Sequence, residues 1–174
     1  MNIHPIFVHF PLALLTVYGL MVLVPHSFRL KYAWWTATGS FLSILGWLLT
    51  LPTAMTGDIA EELVVGKYDP KVIEMHSTFA GITIIIFFFF FAANMVRIAK
   101  AGGWGDRIAA RNSFFLRVWN LKQKSADIIL DTFVGKLLAL AGLAAVTITG
   151  ALGGAIVYGP NFDPVLSVVY RWFF

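Results

Sequence analysis

Residues 72–98 read VIEMHSTFAGITIIIFFFFFAANMVRI, and this stretch decides the fold class. Its only ionisable side chains, Glu74, His76 and Arg97, lie towards its two ends. An α-helix needs about 20 apolar residues to cross roughly 30 Å of hydrocarbon. Because the stretch is long enough for a complete crossing, it predicts a transmembrane helix.

Three further stretches of the chain are similarly long and apolar. Residues 5–25 and 32–55 precede the stretch at 72–98, and residues 132–158 follow it. Together they predict an all-α fold, a four-helix transmembrane bundle in which residues 1–174 form a single integral membrane domain. Residues 5–25 lack the basic start and the cleavage site of a signal peptide, so we interpret them as a retained helix.

The composition agrees with a membrane interior and excludes several classes of function. Hydrophobic residues make up 59% of the 174 residues, and charged residues make up 13%, against about 25% in soluble domains. The mean hydropathy is +0.79. The chain has no cysteine, which excludes disulfides, thiolate catalysis, cysteine-ligated iron–sulfur clusters and covalent CxxCH haem attachment.

The basic residues predict how the bundle is oriented. Four crossings place both termini and the second connection on one side, named side A, and the first and third connections on the other, named side B. Of the 13 lysines and arginines, all but Lys67, Lys71 and Arg171 lie in or beside the side-B connections. Since short loops rich in Lys and Arg stay in the cytoplasm, we expect side B to be cytoplasmic and both termini to lie outside.

The third connection, residues 99–131, mixes aromatic with basic residues. Its members include Trp104, Phe114, Phe115, Trp119, Arg107, Arg111, Arg117, Lys122 and Lys124. This mixture predicts an amphipathic cytoplasmic segment on the anionic inner leaflet, with a solvated basic loop as the alternative. We expect no nucleic-acid partner despite the net charge of +4, because the basic residues flank membrane crossings.

Three of the four histidines and most of the acidic residues fall on side A. The group consists of His4, His9, Asp58, Glu61, Glu62, Glu74 and His76. Ionisable groups this close to hydrocarbon are costly unless they pair, ligate or reach water. His26 falls on side B without acidic or histidine neighbours, and we expect no site there.

Depth in the membrane favours His9 and His76 as a ligand pair. At about 1.5 Å per residue, each lies roughly 6 Å inside the start of its helix, so the two imidazoles could meet at one level. We therefore predict axial ligation of haem b by His9 and His76, with His4 in a supporting position. Gly46 and Gly150 would make room for the flat macrocycle, although helix packing is the commoner role of such glycines.

Two other functions remain open at this point. His4, His9 and His76 with Asp58 or Glu62 form a mixed nitrogen and oxygen set suited to Zn, Cu or non-haem Fe. After Pro52 we expect the chain to continue outside the bilayer as a short helix to Glu62, and on such a helix Asp58 and Glu62 would share a face. The remaining possibility is a cofactor-free structural subunit of a respiratory or photosynthetic complex.

The chain resembles a known family in four places: the opening His4-Pro5-Ile6-Phe7-Val8-His9-Phe10-Pro11, then Thr56-Gly57 with nearby acids, Tyr68, and His76. The family is the bacterial four-helix membrane family catalogued as domain of unknown function twenty-two thirty-one, and the resemblance covers about residues 1–158. Its members are also found joined to c-type cytochrome or Rieske-type domains.

This resemblance implies a bacterial inner membrane location and an electron-transfer setting. In that setting the chain is an electron carrier or complex subunit rather than a stand-alone enzyme. The expected partners are the lipid bilayer, a membrane quinone, and a c-type cytochrome or larger membrane complex. The resemblance implies no particular cofactor, so the haem assignment rests on the placement of the histidines.

Overall fold

The structure is a computed structural model that describes residues 3–64, 66 and 69–174. Within these residues the chain forms eight α-helices and no strand, which confirms the all-α prediction. The helices are α1 His4–Leu23, α2 His26–Lys31, α3 Ala33–Val64, α4 Pro70–Ala101, α5 Trp104–Ala109, α6 Ser113–Asp131, α7 Phe133–Tyr158 and α8 Pro164–Phe173. Lys67 and Tyr68, which the sequence analysis uses, lie outside the described residues.

Four segments are long and apolar enough to cross a membrane, as expected of a multi-pass membrane protein. They are His4–Leu23, Trp34–Leu63, Pro70–Ala101 and Phe133–Tyr158. Each corresponds to one of the four predicted stretches. The second is longer than predicted, because α3 continues through Pro52 to Val64 and carries the side-A acids on its last turns.

The four long helices pack as a ring of antiparallel neighbours. Contacts join α1 to α3, α3 to α4, α4 to α7, and α7 back to α1. His4 at the start of α1 reaches Thr56 late in α3, whereas Tyr18 near the end of α1 lies beside Gly39 early in α3. His76 likewise reaches Thr149 late in α7. All three outer histidines therefore belong to the same end of the bundle.

The core of the bundle is aromatic at its centre. In the phenylalanine run of α4, Phe87 and Phe90 are fully buried, while Phe88 and Phe89 are 44% and 46% exposed. Residues three apart share a helix face, so one run supplies both core and outer surface. Tyr18 packs against the two buried rings, with centroids 6.5 and 5.4 Å away.

The third connection consists mainly of two helices. Asp106 of α5 accepts a hydrogen bond from Trp119 Nε1 of α6 at 2.6 Å. Thr132 joins α6 to α7, since its hydroxyl donates to Ile128 O at 2.6 Å and accepts from Val134 N at 3.2 Å. Aromatic and basic residues of α6 such as Phe114, Phe115, Arg117 and Lys122 are exposed, and their placement on a leaflet stays a prediction.

Candidate functional site

The start of α1 is held to α3 by a hydrogen bond that compensates for a proline. Pro11 has no N–H, so the carbonyl of Phe7 lacks its usual helical partner. Thr53 of α3 partly replaces that partner, because its hydroxyl proton is shared between Phe7 O at 3.2 Å and Leu49 O of its own helix at 2.8 Å. This bond places the first turns of α1, with His4 and His9, beside the side-A end of α3.

His4 packs directly on α3. Its Nδ1 lies 3.2 Å from Oγ1 of Thr56, and that hydroxyl donates its own hydrogen to Thr53 O at 2.9 Å. This contact holds the imidazole of His4 against the later turns of α3. The ring lies over Gly57, where a Cβ would come within 3.3 Å of Cε1.

His76 packs on α7 in a similar way. Its Nδ1 donates to the carbonyl oxygen of Thr149 at 2.9 Å, which leaves the lone pair of the neutral ring on Nε2. A Cβ on Gly153 would approach the His76 Cε1 to 3.0 Å, so the absence of a side chain there permits this close packing.

His9 has different surroundings from the other two. Its side chain is exposed, and its Nδ1 donates to Pro5 O of the same helix. The step from His4 to His9 rotates by about 140° around a helix, so the two side chains point in different directions. The three histidines therefore lie at one end of the bundle with different neighbours, and their predicted ligand roles stay predictions.

The remaining predicted site residues lie in ordinary packing or at the surface. Gly46 lies against Leu15 and Gly150 against Leu12, so leucines of α1 occupy the space that we predicted for a macrocycle. Asp58 and Glu62 are on one helix and are exposed. Within residues 3–64, 66 and 69–174, no three His, Asp or Glu side chains are grouped so as to hold a metal ion.

A second polar site, which the sequence analysis missed, lies at the opposite end of the bundle. It is a cavity of about 210 Å³, named here the side-B cavity, and its polar lining residues are Tyr18, His26, Arg29, Thr36, Ser40, Asn94, Arg97 and Asp131. Asn94 is only 3% exposed and joins three helices. It donates to Tyr18 Oη at 3.0 Å and accepts from Ser40 Oγ at 2.8 Å.

Charged residues line the part of this cavity next to α6. Asp131 pairs with Arg97 and, at 3.4 Å, with Nε2 of His26. The expectation that His26 has no acidic neighbour is therefore wrong, because the end of α6 lies against α2. Arg29 donates from Nη1 to Leu130 O at 2.9 Å. Burial lowers the pKa of the Arg29 guanidinium; Asp131 raises it and Arg97 lowers it further.

Part of the side-B cavity was detectable in the sequence. Tyr18 and Asn94 are polar residues inside predicted crossings, and such residues are candidates for functional sites. Their partners were not detectable, because Ser40 is 54 positions from Asn94 and Leu130 is 101 positions from Arg29. Only the packing of the helices brings these groups together.

Comparison with known proteins adds no assignment to either site. No family model, curated protein or solved structure matches this chain. The family resemblance of the opening motif stays a prediction, and the function is inferred from the two sites themselves.

Proposed function

We propose that this chain is a membrane-embedded haem b protein that transfers electrons, with His76 and His4 as the ligating imidazoles. The observation that carries the proposal is the hydrogen bond from His76 Nδ1 to Thr149 O at 2.9 Å. A histidine that ligates a metal usually donates its second ring nitrogen to a carbonyl or carboxylate, which fixes the tautomer and the ring orientation. His76 already has this arrangement.

We assign the second ligand role to His4, which lies on α1, a different helix of the bundle from that of His76. The Nδ1 of His4 lies 3.2 Å from the Thr56 hydroxyl, and this contact orients the ring on α3. Two neutral imidazoles from different helices are a suitable axial pair for a b-type haem. Both side chains belong to the side-A end of the bundle, since His4 reaches Thr56 late in α3 and His76 reaches Thr149 late in α7.

When bound, the haem iron would supply one-electron chemistry by alternating between its ferric and ferrous states. The residues of the chain would orient the two ligands. Thr149 O would fix the tautomer of His76 and Thr56 would orient the ring of His4, while Gly57 and Gly153 let the rings lie close to the helix backbones. In this proposal the redox partners are a membrane quinone and a c-type cytochrome or larger membrane complex.

An optical spectrum of protein expressed with adequate haem tests the proposal. We expect a Soret band in the unmodified protein and its loss or strong shift in His76→Ala and His4→Ala. His9→Ala and His26→Ala are the controls and should keep the band. If His9→Ala abolishes the band and His4→Ala does not, the axial pair is His9 and His76. Folded, haem-supplied protein without a Soret band contradicts the proposal.

The same preparation separates the two alternatives. Stoichiometric Zn, Cu or Fe without porphyrin would favour a non-haem metal site built from His4, His9 and His76 with Asp58 or Glu62. Copurification with a larger respiratory or photosynthetic complex, without pigment or metal in this chain, would favour a structural subunit.

A further inference from the structure

The side-B cavity carries more positive than negative charge. Arg29 and Arg97 supply two guanidinium groups, whereas Asp131 is the one carboxylate among the described lining residues. Both oxygens of Asp131 are already engaged, Oδ2 by Arg97 and Oδ1 by His26. A charge removed from water is costly unless it is paired and hydrogen-bonded. The cavity therefore lacks a negative group.

Arg29 is the cation that this arrangement leaves incompletely bonded. Its Nη1 donates to Leu130 O, but its Nε is buried and makes no hydrogen bond to any described residue. A guanidinium presents five N–H donors in a planar fork that matches the oxygens of a phosphate. Burial and the neighbouring Arg97 both lower the pKa of Arg29, and Asp131 only partly offsets them.

The location of the cavity narrows the choice of anion. It lies where α1 ends and α3 begins, next to the side-B connections that carry most of the basic residues. Basic pockets between transmembrane helices at a cytoplasmic surface bind the head groups of anionic lipids. The volume of about 210 Å³ is several times the roughly 30 Å³ share of one water molecule, so it admits a group larger than water.

We propose that the side-B cavity binds a phosphate group, with Arg29 and Arg97 as its cationic ligands. The phosphate belongs either to the head group of an anionic phospholipid or to a soluble phosphate, and the chemistry of the contact is the same. The proposal is independent of haem binding at side A. A negative result in the optical experiment leaves it unchanged.

Binding measurements on the purified full-length chain in neutral detergent test the proposal. Native mass spectrometry compares the retention of phosphatidylglycerol with that of phosphatidylcholine, and thermal unfolding compares inorganic phosphate with chloride at equal ionic strength. Arg29→Gln removes the positive charge and both Nη donors, and it keeps only an amide N–H near the position of Nε. Arg117→Gln, an exposed arginine on α6, is the matched control. We expect preferential binding that is roughly ten-fold weaker in Arg29→Gln and unchanged in Arg117→Gln.

The two arms of the experiment identify the source of the phosphate. Preferential retention of phosphatidylglycerol without a response to inorganic phosphate identifies a lipid head group. Stabilisation by inorganic phosphate that Arg29→Gln abolishes identifies a soluble phosphate. Equal retention of both lipids together with no phosphate response overturns the proposal, and so does an equal effect of Arg29→Gln and Arg117→Gln.

A second variant, Arg29→Lys, tests the proposal if Arg29→Gln does not fold. Arg29→Lys keeps the positive charge but has no planar fork and no Nε donor. We expect its phosphate binding to fall about three-fold, less than in Arg29→Gln. If Arg29→Lys binds as tightly as the unmodified protein, the assigned role of the Arg29 guanidinium is wrong.

Discussion

The two ends of the bundle hold their polar side chains in different ways. At side B, Asn94 bonds to Tyr18, Ser40 and its own helix, so these buried neutral groups satisfy one another, while the neighbouring Arg29 Nε is left without a partner among the described residues. At side A, His76 is anchored through Nδ1, and its Nε2 keeps a lone pair. Mutually satisfied networks make a fold specific and rigid. A side chain anchored through one atom stays suited to binding a ligand.

The glycines show the same contrast. Gly135, at the side-B start of α7, lies so close to Ile129 that a Cβ would overlap its carbonyl oxygen. At side A, Gly57 and Gly153 instead face the imidazole rings of His4 and His76. A ring can move aside more easily than a backbone carbonyl. We therefore expect side B to be the less tolerant end.

The largest effect should come from Gly135→Ala. The new methyl group would overlap the Ile129 carbonyl and force α6 and α7 apart, at a cost of at least about 3 kcal/mol in the free energy of unfolding. Thermal unfolding in detergent measures this loss. Gly81→Ala is the matched control, because a Cβ there meets no heavy atom within 4 Å and gains up to about 1 kcal/mol of helix propensity.

Gly153→Ala tests the contrast between the two ends in the same assay, because the neighbour of Gly153 is the imidazole of His76, which can move aside. It should destabilise the protein less than Gly135→Ala does. Equal melting temperatures for Gly135→Ala and Gly81→Ala would show that the corner between α6 and α7 is not rigid, and the contrast between the two ends would then be lost.

An intermediate effect is expected from Asn94→Leu. The replacement keeps the volume similar but leaves Tyr18 Oη and Ser40 Oγ buried without their Asn94 bonds, which should cost about 1 to 3 kcal/mol. Thr147→Val is the control, because Thr147 is exposed and donates only to Leu143 O of its own helix. Chemical unfolding of the two variants should separate them; matching stabilities would mean that the side-B network contributes little.

The smallest effect should come from Thr53→Val at side A. This change removes the hydrogen bond to Phe7 O, and bonds between transmembrane helices contribute about 0.6 kcal/mol on average. The exposed Thr78 provides the control Thr78→Val. A loss in Thr53→Val as large as that in Asn94→Leu would show that side A is held as firmly as side B.

The crossings could be predicted because hydropathy depends on short stretches of sequence. The predicted crossing ends at Met55, because hydropathy marks where a helix meets polar surroundings and not where its hydrogen bonds stop; the short outer helix predicted after Pro52 is a direct continuation of α3. Glu61 and Glu62 lower the hydropathy after Met55, yet glutamate is a good helix former and α3 continues to Val64. The same reasoning explains why the predicted second stretch is too short.

The side-A site was harder to predict. The depth of a residue in the membrane can be counted along its helix, but the direction in which its side chain points depends on how the helix packs against its neighbours. His9 and His76 lie at similar predicted depths, which is why we paired them. The buried face of α1 carries Pro11, Leu15 and Tyr18, and His4 lies on that face two turns before Pro11. This periodicity places His4 towards the core and His9 towards the outside, and the choice between them as ligands stays a prediction.

The bond between Arg29 and Leu130 has a consequence for how the protein is made. It joins the first connection to the end of α6, across 101 positions of chain. The carbonyl of Leu130 belongs to the last turn of its helix, where carbonyls have no helical partner. Until α6 has been synthesised, the first hairpin carries a guanidinium without this acceptor. The contact therefore forms late in biogenesis, and a chain truncated before α6 would display an uncapped cation at its membrane boundary.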